Sequence, residues 1–369
     1  MKVLHVINHL DLAGAERLLA DLAPLQRKGG VSVAVVALNL RDTRLAERLR
    51  GDGVMVFAGQ GSLYSPSQIQ FLRGIFREVQ PDIVHAHLFP AMLWVALAAS
   101  GSTRLVTTEH NTWNRRRRWW FREIDRKMYS GYEQIICVSP QVSDAFAEWL
   151  PEARARLRVI PNGISLDRFR CATVQGKGSP FQILTVGRLT EQKGIDILLR
   201  AVSELPGVEV SIAGDGPLRE ELETLAKTLG AGERVRFLGA CDNVPELMAG
   251  VDAYVQSSRW EGFGIAAVEA MASGLPVVVS DVPGLREVVG DAGLTFAAGD
   301  SAALAKALGA LIVDTAWRES LSRKAKLRAA GFSIERTADL YAALYREVLG
   351  GVVPVAWKQE EPHAASPTH

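Results

Sequence analysis

Two glutamates separated by seven residues frame the most chemically loaded stretch of the chain, Arg259-Trp260-Glu261-Gly262-Phe263-Gly264-Ile265-Ala266-Ala267-Val268-Glu269. A Gly-Phe-Gly turn follows the first glutamate, an Ala-rich helical run carries the second, and Gly274-Leu275-Pro276 then turns into an apolar strand. The start of a helix exposes unpaired backbone N–H groups at its positive end, so the turn Gly262, Phe263, Gly264 and Ile265 is shaped to receive an anion, with phosphate the natural guest. Glu261 precedes the helix and Glu269 is placed about two turns inside it, which separates their backbones by about 12 Å at about 1.5 Å per residue. The facing carboxylates of a glycosidase stand about 5 to 9.5 Å apart across one sugar bond. The spacing therefore fits two ends of one extended ligand with its phosphates between them. The competing reading makes Glu261 a capping residue and Glu269 a solvated helix residue.

A second cluster supports the ligand reading. After the strand ending at Val186 comes Gly187-Arg188-Leu189-Thr190-Glu191-Gln192-Lys193-Gly194. An arginine can grip phosphate through two parallel hydrogen bonds and a lysine adds a point charge, so Arg188 and Lys193 could neutralise a departing diphosphate without a metal. Near the N-terminus, Gly14 opens a helix after an apolar strand. No G-x-G-x-x-G follows that strand, and Gly214-Asp215-Gly216-Pro217 lacks the third glycine, which disfavours a nicotinamide oxidoreductase. His110 follows the strand Arg104 to Thr107, where an imidazole could bond a substrate hydroxyl or take up a proton. His85 and His87 read as strand and turn residues. The segment Asn114-Arg115-Arg116-Arg117-Arg118-Trp119-Trp120-Phe121 sets four arginines beside three aromatics, a composition suited to an anionic membrane interface or to clamping a phosphate-bearing acceptor. The competing readings are a solvated basic helix end with buried rings and RNA binding by arginine and aromatic stacking; RNA loses ground because the other half offers a small-molecule diphosphate site, so no nucleic-acid partner is expected.

The elements that must position these groups follow from periodicity. Short β-branched runs alternate with helical patterns through both halves, the sequence form of parallel sheets covered by helices. Strands are expected at 2–7, 31–37, 83–85, 104–107 and 134–138, then at 182–186, 209–213, 235–237, 253–256 and 276–279. Val159-Ile160-Pro161-Asn162-Gly163-Ile164, followed by a polar stretch from Thr173 to Ser179, marks the junction between two domains. The chain of 369 residues, with 48% hydrophobic residues, can build two cores. A net charge of +1 disfavours a bulk polyanion binder. Three widely spaced cysteines, Cys137, Cys171 and Cys241, match neither a disulfide framework nor a zinc site and suggest a reducing cytoplasm. The N-terminus does not read as a signal peptide, and the apolar region Ile83 to Ala99, broken by His85, His87 and Pro90, reads as a strand end followed by a helix rather than a membrane span. Ligands of such domains bind outside the carboxyl ends of the strands, which places the motifs in a cleft between the two halves.

Together these motifs resemble the family 4 glycosyltransferases, retaining enzymes that use nucleotide sugars and have the two-domain GT-B fold. The resemblance runs from Met1 to about Leu349. It rests on Gly187-Arg188 with Lys193-Gly194, Ala213-Gly214-Asp215-Gly216-Pro217, Phe237-Leu238-Gly239, Glu261-Gly262-Phe263-Gly264 with Glu269, Gly274-Leu275-Pro276-Val277-Val278, and Ile160-Pro161-Asn162-Gly163-Ile164 with Asp167 and Phe169. It implies two Rossmann-like domains facing each other across a cleft: residues 1–163 for the acceptor, 164–332 for the donor, a helix of about 333–350 returning to the first domain, and a disordered tail over 351–369. By the resemblance, Glu269 holds the ribose hydroxyls, Glu261 and the backbone of Gly262, Phe263, Gly264 and Ile265 address the sugar and diphosphate, Gly187 accompanies Arg188 and Lys193 at the diphosphate, His110 lies near the reacting sugar, and Gly14 sits beside the phosphate. Two positions depart from the family pattern: Ala13-Gly14 and Pro283-Gly284 each stand where two adjacent glycines are usual. The implied reaction is metal-independent, cofactor-free hexosyl transfer from a UDP- or GDP-sugar to an acceptor hydroxyl; the segment Arg115 to Phe121 adds the expectation of a lipid-linked glycan acceptor in polysaccharide synthesis and of a cytoplasmic protein peripheral to the membrane. A GT-B phosphorylase, a nucleotide-sugar epimerase and a non-catalytic nucleotide-sugar binder remain as alternatives.

Overall fold

The computed structural model describes residues 1–350 apart from 12–13, 42, 102, 112–117 and 171–179. The tail 351–369, the polar stretch from Thr173 to Ser179, Ala13, and Arg115, Arg116 and Arg117 lie outside the described residues. Among the described residues thirteen strands form two sheets. The first holds β1 (Lys2–Ile7), β2 (Ser32–Ala37), β3 (Met55–Ala58), β4 (Ile83–His87), β5 (Arg104–Glu109), β6 (Gln134–Cys137) and β7 (Leu157–Val159) in the order β3-β2-β1-β4-β5-β6-β7. The second holds β8 (Phe181–Val186), β9 (Val208–Ala213), β10 (Val235–Gly239), β11 (Ala253–Gln256), β12 (Val277–Ser280) and β13 (Leu294–Phe296) in the order β10-β9-β8-β11-β12-β13. All pairings are parallel. Each sheet reverses its strand order once, between β1 and β4 and between β8 and β11, and such switch points open the crevice in which α/β sheets bind ligands.

Alternation along the strands sorts the cores. Val3 and Ile7 of β1 join one apolar cluster, while Leu4 and Val6 join the cluster on the opposite face, as the two-residue period of a strand requires. The second sheet is likewise covered on both faces. Three strands escape the sequence reading: β3, β7 and β13. All three are sheet edges of three or four residues with exposed positions: β7 and β13 interrupt their apolar residues with a polar one, while β3, Met55-Val56-Phe57-Ala58, is apolar but only four residues long.

The helix Ile334–Val348 is capped by Ser333, whose hydroxyl accepts from the Arg336 N–H, and it buries Tyr341, Leu344 and Tyr345 against the first sheet. The chain crosses between sheets twice, and the crossings are paired: the Ile164 N–H donates to the Phe332 carbonyl at 2.9 Å, and the Ile334 N–H donates to the Ile164 carbonyl at 2.9 Å. Gly163 makes the approach possible, since a Cβ there would lie 2.5 Å from the Ser333 carbonyl oxygen and 2.6 Å from Ile334 Cα.

Candidate active site

The loops after β8 and β11 build one half of the site. Lys193 ends a single 3-10 turn (Glu191–Lys193), and its ammonium donates to Glu261 Oε2 at 2.5 Å. The same oxygen accepts from Gln256 Nε2 at 2.9 Å and Ser258 Oγ at 3.3 Å. Among the described residues no donor reaches the second oxygen, Oε1. The loops are strapped together: the Arg259 N–H donates to the Gln192 carbonyl at 2.7 Å, and the Arg259 guanidinium grips Asp196 with two bonds of 2.8 and 2.7 Å. Arginine–carboxylate forks of this kind restrict side-chain motion as well as adding attraction.

Gly264 adopts a φ of 94°, a left-handed conformation open to glycine, and delays the start of the following helix to Ile265. Glu269 is therefore the fifth residue of the helix Ile265–Ala272, one turn inside it rather than the two expected from sequence. It is also buried rather than solvated. Burial pushes its carboxyl up to about 7, while the nearby Arg17 and Arg168 guanidiniums pull in the other direction. The Phe263 ring packs edge-on against Phe332 at 5.6 Å in the core, so only the backbone of Phe263 is free to serve a ligand.

Arg188 is exposed, and among the described residues its guanidinium has no ion-pair partner. It lies within electrostatic reach of Glu16, whose carboxyl burial pushes up to about 7. Gly187 lies against the stem of Lys193: a Cβ there would stand 3.2 Å from Lys193 Cε.

The first domain closes over these groups. A Cβ on Gly262 would lie 1.9 Å from the His110 carbonyl oxygen, so the backbones meet here as only glycine allows. Gly14, the first residue of the helix Gly14–Lys28, faces Ile265 Cδ1 across the cleft at 3.5 Å from its Cβ position. His110 follows β5, and its Nε2 is cut off from solvent with no hydrogen-bond partner among the described residues. Burial lowers this imidazole to about 4, so at neutral pH it is uncharged. An unsatisfied buried ring nitrogen is a group that gains from a polar partner.

His85 lies in β4 as expected; His87, read as a turn residue, ends the same strand, which runs two residues further than the sequence suggests, and both join His5 of β1 in a buried array. His5 Nδ1 bonds His87 Nε2 at 3.0 Å, His5 Nε2 bonds Gln26 Oε1 at 2.8 Å, and His85 bonds the Tyr345 hydroxyl at 2.6 Å and Thr108 Oγ1 at 2.7 Å. These bonds tie the returning C-terminal helix to the floor of the first sheet, directly behind His110, whose ring lies 6.2 Å from that of His87.

Arg118, Trp119 and Trp120 stand apart as a surface feature. Trp119 is 81% and Trp120 49% exposed, and the Arg118 guanidinium lies 5.0 Å from the centre of the Trp120 ring. The rings are thus presented to solvent rather than buried.

The structure joins Gly14 to Ile265, His110 to Gly262, and Gly187 to Lys193 and Glu261, with Phe263 and Gly264 between Gly262 and Ile265 in the chain; Arg188 is exposed and Glu269 is buried. Sequence reasoning missed Gln256 and Ser258, which hold Glu261, and Glu16, Arg17 and Arg168, which set the charge environment. One of these left a signal: a glutamine ending the otherwise apolar strand Ala253-Tyr254-Val255-Gln256.

Comparison with known proteins agrees with this geometry. Residues 12–168 match the model of the Glycosyltransferase Family 4 and residues 172–328 that of the Glycosyl transferases group 1. The chain is 31% identical to glycogen synthase of Mycobacterium tuberculosis over 294 residues, spanning 74% of this chain and 70% of that protein. It is also 31% identical to phosphatidyl-myo-inositol mannosyltransferase of Mycobacterium leprae over 335 residues, or 83% and 85% of the two chains. Among solved structures, Anabaena HepE in complex with UDP-glucose superposes with a TM-score of 0.84 at 23% identity over 94% of this chain and all of that one, and a glycosyltransferase from Rickettsia africae with a TM-score of 0.80 at 19% identity over 95% and 99%. These neighbours share the two-domain architecture described above, the GT-B fold. The chain belongs to the family 4 glycosyltransferases.

Proposed function

We propose that the enzyme transfers a hexosyl group, with retention of configuration, from a nucleoside diphosphate sugar to an acceptor hydroxyl. The observation that carries this reading is the Lys193–Glu261 pair at 2.5 Å, set beside the backbone contact of Gly262 with His110. The pair holds a cation where a diphosphate can meet it and leaves Glu261 Oε1 open to a sugar hydroxyl. Glu269 accepts the ribose hydroxyls, and Arg188, Lys193 and the N–H groups of Gly264 and Ile265 draw off the charge that develops on the diphosphate, so the positive charge comes from the protein and no metal or cofactor is required. The sugar C1–O bond to the diphosphate breaks while the acceptor oxygen bonds C1 on the same face, and the acceptor proton passes to the departing phosphate oxygen. His110 Nε2, neutral and unpartnered, bonds a hydroxyl of the reacting sugar.

UDP-glucose is a natural first donor because it is bound in the Anabaena HepE neighbour. A thermal-shift panel of UDP-glucose, UDP-galactose, UDP-N-acetylglucosamine and GDP-mannose identifies the donor, since a selective ligand raises the melting temperature. Lys193→Ala should then lower transfer about 100- to 1000-fold with the fold intact. No stabilisation by any donor, or turnover of Lys193→Ala near that of the parent, refutes the assignment. Product analysis with a labelled donor separates transfer from phosphorolysis, epimerisation and binding alone.

We further propose a lipid-linked acceptor, reached from the cytoplasmic face of a membrane through Arg118, Trp119 and Trp120 together with Arg115, Arg116 and Arg117. Exposed aromatic rings beside cations suit a headgroup boundary. No helix among the described residues is long and apolar enough to cross a membrane. The chain should float with anionic but not neutral vesicles, and replacing Arg115 to Arg118 by serine should abolish flotation; unchanged flotation removes this segment as the contact.

A further inference from the structure

We propose that Gln256 is a positioning residue for transfer, holding the Glu261 carboxylate so that Oε1 faces the donor sugar. The inference rests on the placement of Glu261 at the sugar proposed above. Gln256 is the last residue of β11, a fully buried strand, and a buried amide is destabilising unless its donors and acceptor find partners. Here they do. Its Nε2 donates to Glu261 Oε2 at 2.9 Å and reaches Ser258 Oγ at 3.4 Å, while its Oε1 accepts from the Tyr254 hydroxyl at 3.2 Å. The backbone is fixed as well, since Ser280 Oγ donates to the Gln256 carbonyl at 3.3 Å.

Glu261 decides which way the amide points, because an ionised carboxylate only accepts: it takes the NH2 group, and the reversed amide would set oxygen against oxygen. The amide oxygen is thereby turned to the Tyr254 hydroxyl, which faces both Gln256 Oε1 at 3.2 Å and the Val186 carbonyl at 3.5 Å, and burial, with the charges of Glu269 and Glu261 adding to it, keeps that phenol protonated as a donor. The chain Tyr254–Gln256–Glu261 thus runs beneath the donor site. With Lys193 and Ser258 on the same oxygen, Oε2 is fully used and Oε1 is aimed by exclusion. Aiming is worth as much as contact in transfer reactions, where small misplacements of a reacting group lower rates by orders of magnitude.

Gln256→Leu keeps roughly the volume and deletes the amide; Tyr254→Phe keeps the ring and deletes the hydroxyl. For the nucleotide sugar giving the largest thermal shift in the panel, we expect Gln256→Leu to lower kcat/KM about 10- to 100-fold and to weaken nucleotide-sugar binding by calorimetry. Affinity for the matching nucleoside diphosphate should stay within about twofold, because that ligand has no sugar for Glu261 to meet. Tyr254→Phe should give a smaller loss in the same direction, and the double variant should be no worse than Gln256→Leu, as expected when two residues act through one chain. Wild-type kinetics in Gln256→Leu, or equal losses for the nucleotide sugar and the nucleoside diphosphate, would overturn the proposal. If Gln256→Leu does not fold, the same split of ligand affinities in Tyr254→Phe decides the matter. Glu261→Gln separates the two levels of inference: if it retains full activity the donor-site reading itself fails, whereas an impaired Glu261→Gln beside a normal Gln256→Leu sinks only the role of Gln256.

Discussion

Glu269 gives the sharpest test of the donor site, because its carboxyl is pushed up to about 7, mainly by burial. A carboxyl that accepts two ribose hydroxyls must be ionised, so the donor binds the deprotonated form and its affinity should fall as pH drops through about 7. For one such group the apparent dissociation constant scales as one plus the ratio of protonated to ionised carboxyl, which predicts about tenfold weaker binding at about pH 6 than at about pH 8. Near pH 7 about half a proton should leave for each donor bound, and calorimetry in buffers of different ionisation enthalpy measures that number directly. The intact nucleotide sugar is the right probe: a free nucleoside diphosphate carries a terminal phosphate that itself titrates near pH 6. Glu269→Gln should abolish the slope, while Glu16→Gln, which removes the other carboxyl raised to about 7, should leave it in place. A flat profile in the parent enzyme, or a slope that survives in Glu269→Gln, refutes the reasoning.

The same shift has a consequence for stability, with the opposite sign from an ordinary surface carboxylate. The folded-state value lies above the ordinary 4.5, so the contribution of Glu269 is fully present below about 4.5 and is lost as pH rises through about 7. The difference amounts to about 3 kcal/mol for the fully ionised group. Glu269→Gln should therefore unfold at higher urea concentration than the parent at about pH 8 while binding donor less well, a separation of stability from function typical of buried site residues.

Further expectations follow from contacts across the cleft and at the crossover. Gly262→Ala drives a methyl into the His110 carbonyl, 1.9 Å away, but the contact joins two domains and is relieved by opening them. Activity should fall about 100-fold, with a larger radius of gyration by X-ray scattering and a stability change below about 1 kcal/mol. Gly163→Ala meets backbone on the returning segment, at Ser333 and Ile334, and should destabilise by about 1–3 kcal/mol in urea titrations. Arg44 and Asp242 pair across the domains at 2.6 Å with side chains 52% and 54% exposed. Asp242→Asn should cost less than about 1 kcal/mol, an effect absent at about 1 M salt.

The parts of this enzyme legible in its sequence are those where local chemistry repeats what the fold requires. Interior strands such as β1 and β11 announce themselves through buried apolar runs, and the Gly-Phe-Gly turn announces a helix start. The edge strands β7 and β13 carry no such run, because an edge that faces solvent selects its residues weakly, and β3 has one of only four residues. Glu261 is legible as a residue type at a spacing, but its partners come from positions 193, 256 and 258, and only two of these lie near it in the chain. The protonation of Glu269 is not legible at all: spacing places a glutamate on a helix face, whereas its charge state is set first by burial and then, in the other direction, by Arg17 and Arg168, brought to it by other helices. Gly262 shows the limit most directly. Its turn is local, but the reason no side chain fits is the carbonyl of His110, 152 positions earlier in the numbering of the chain. A motif read along one strand of chain thus reports which groups a site contains, while the distances that make them reactive belong to the closed pair of domains.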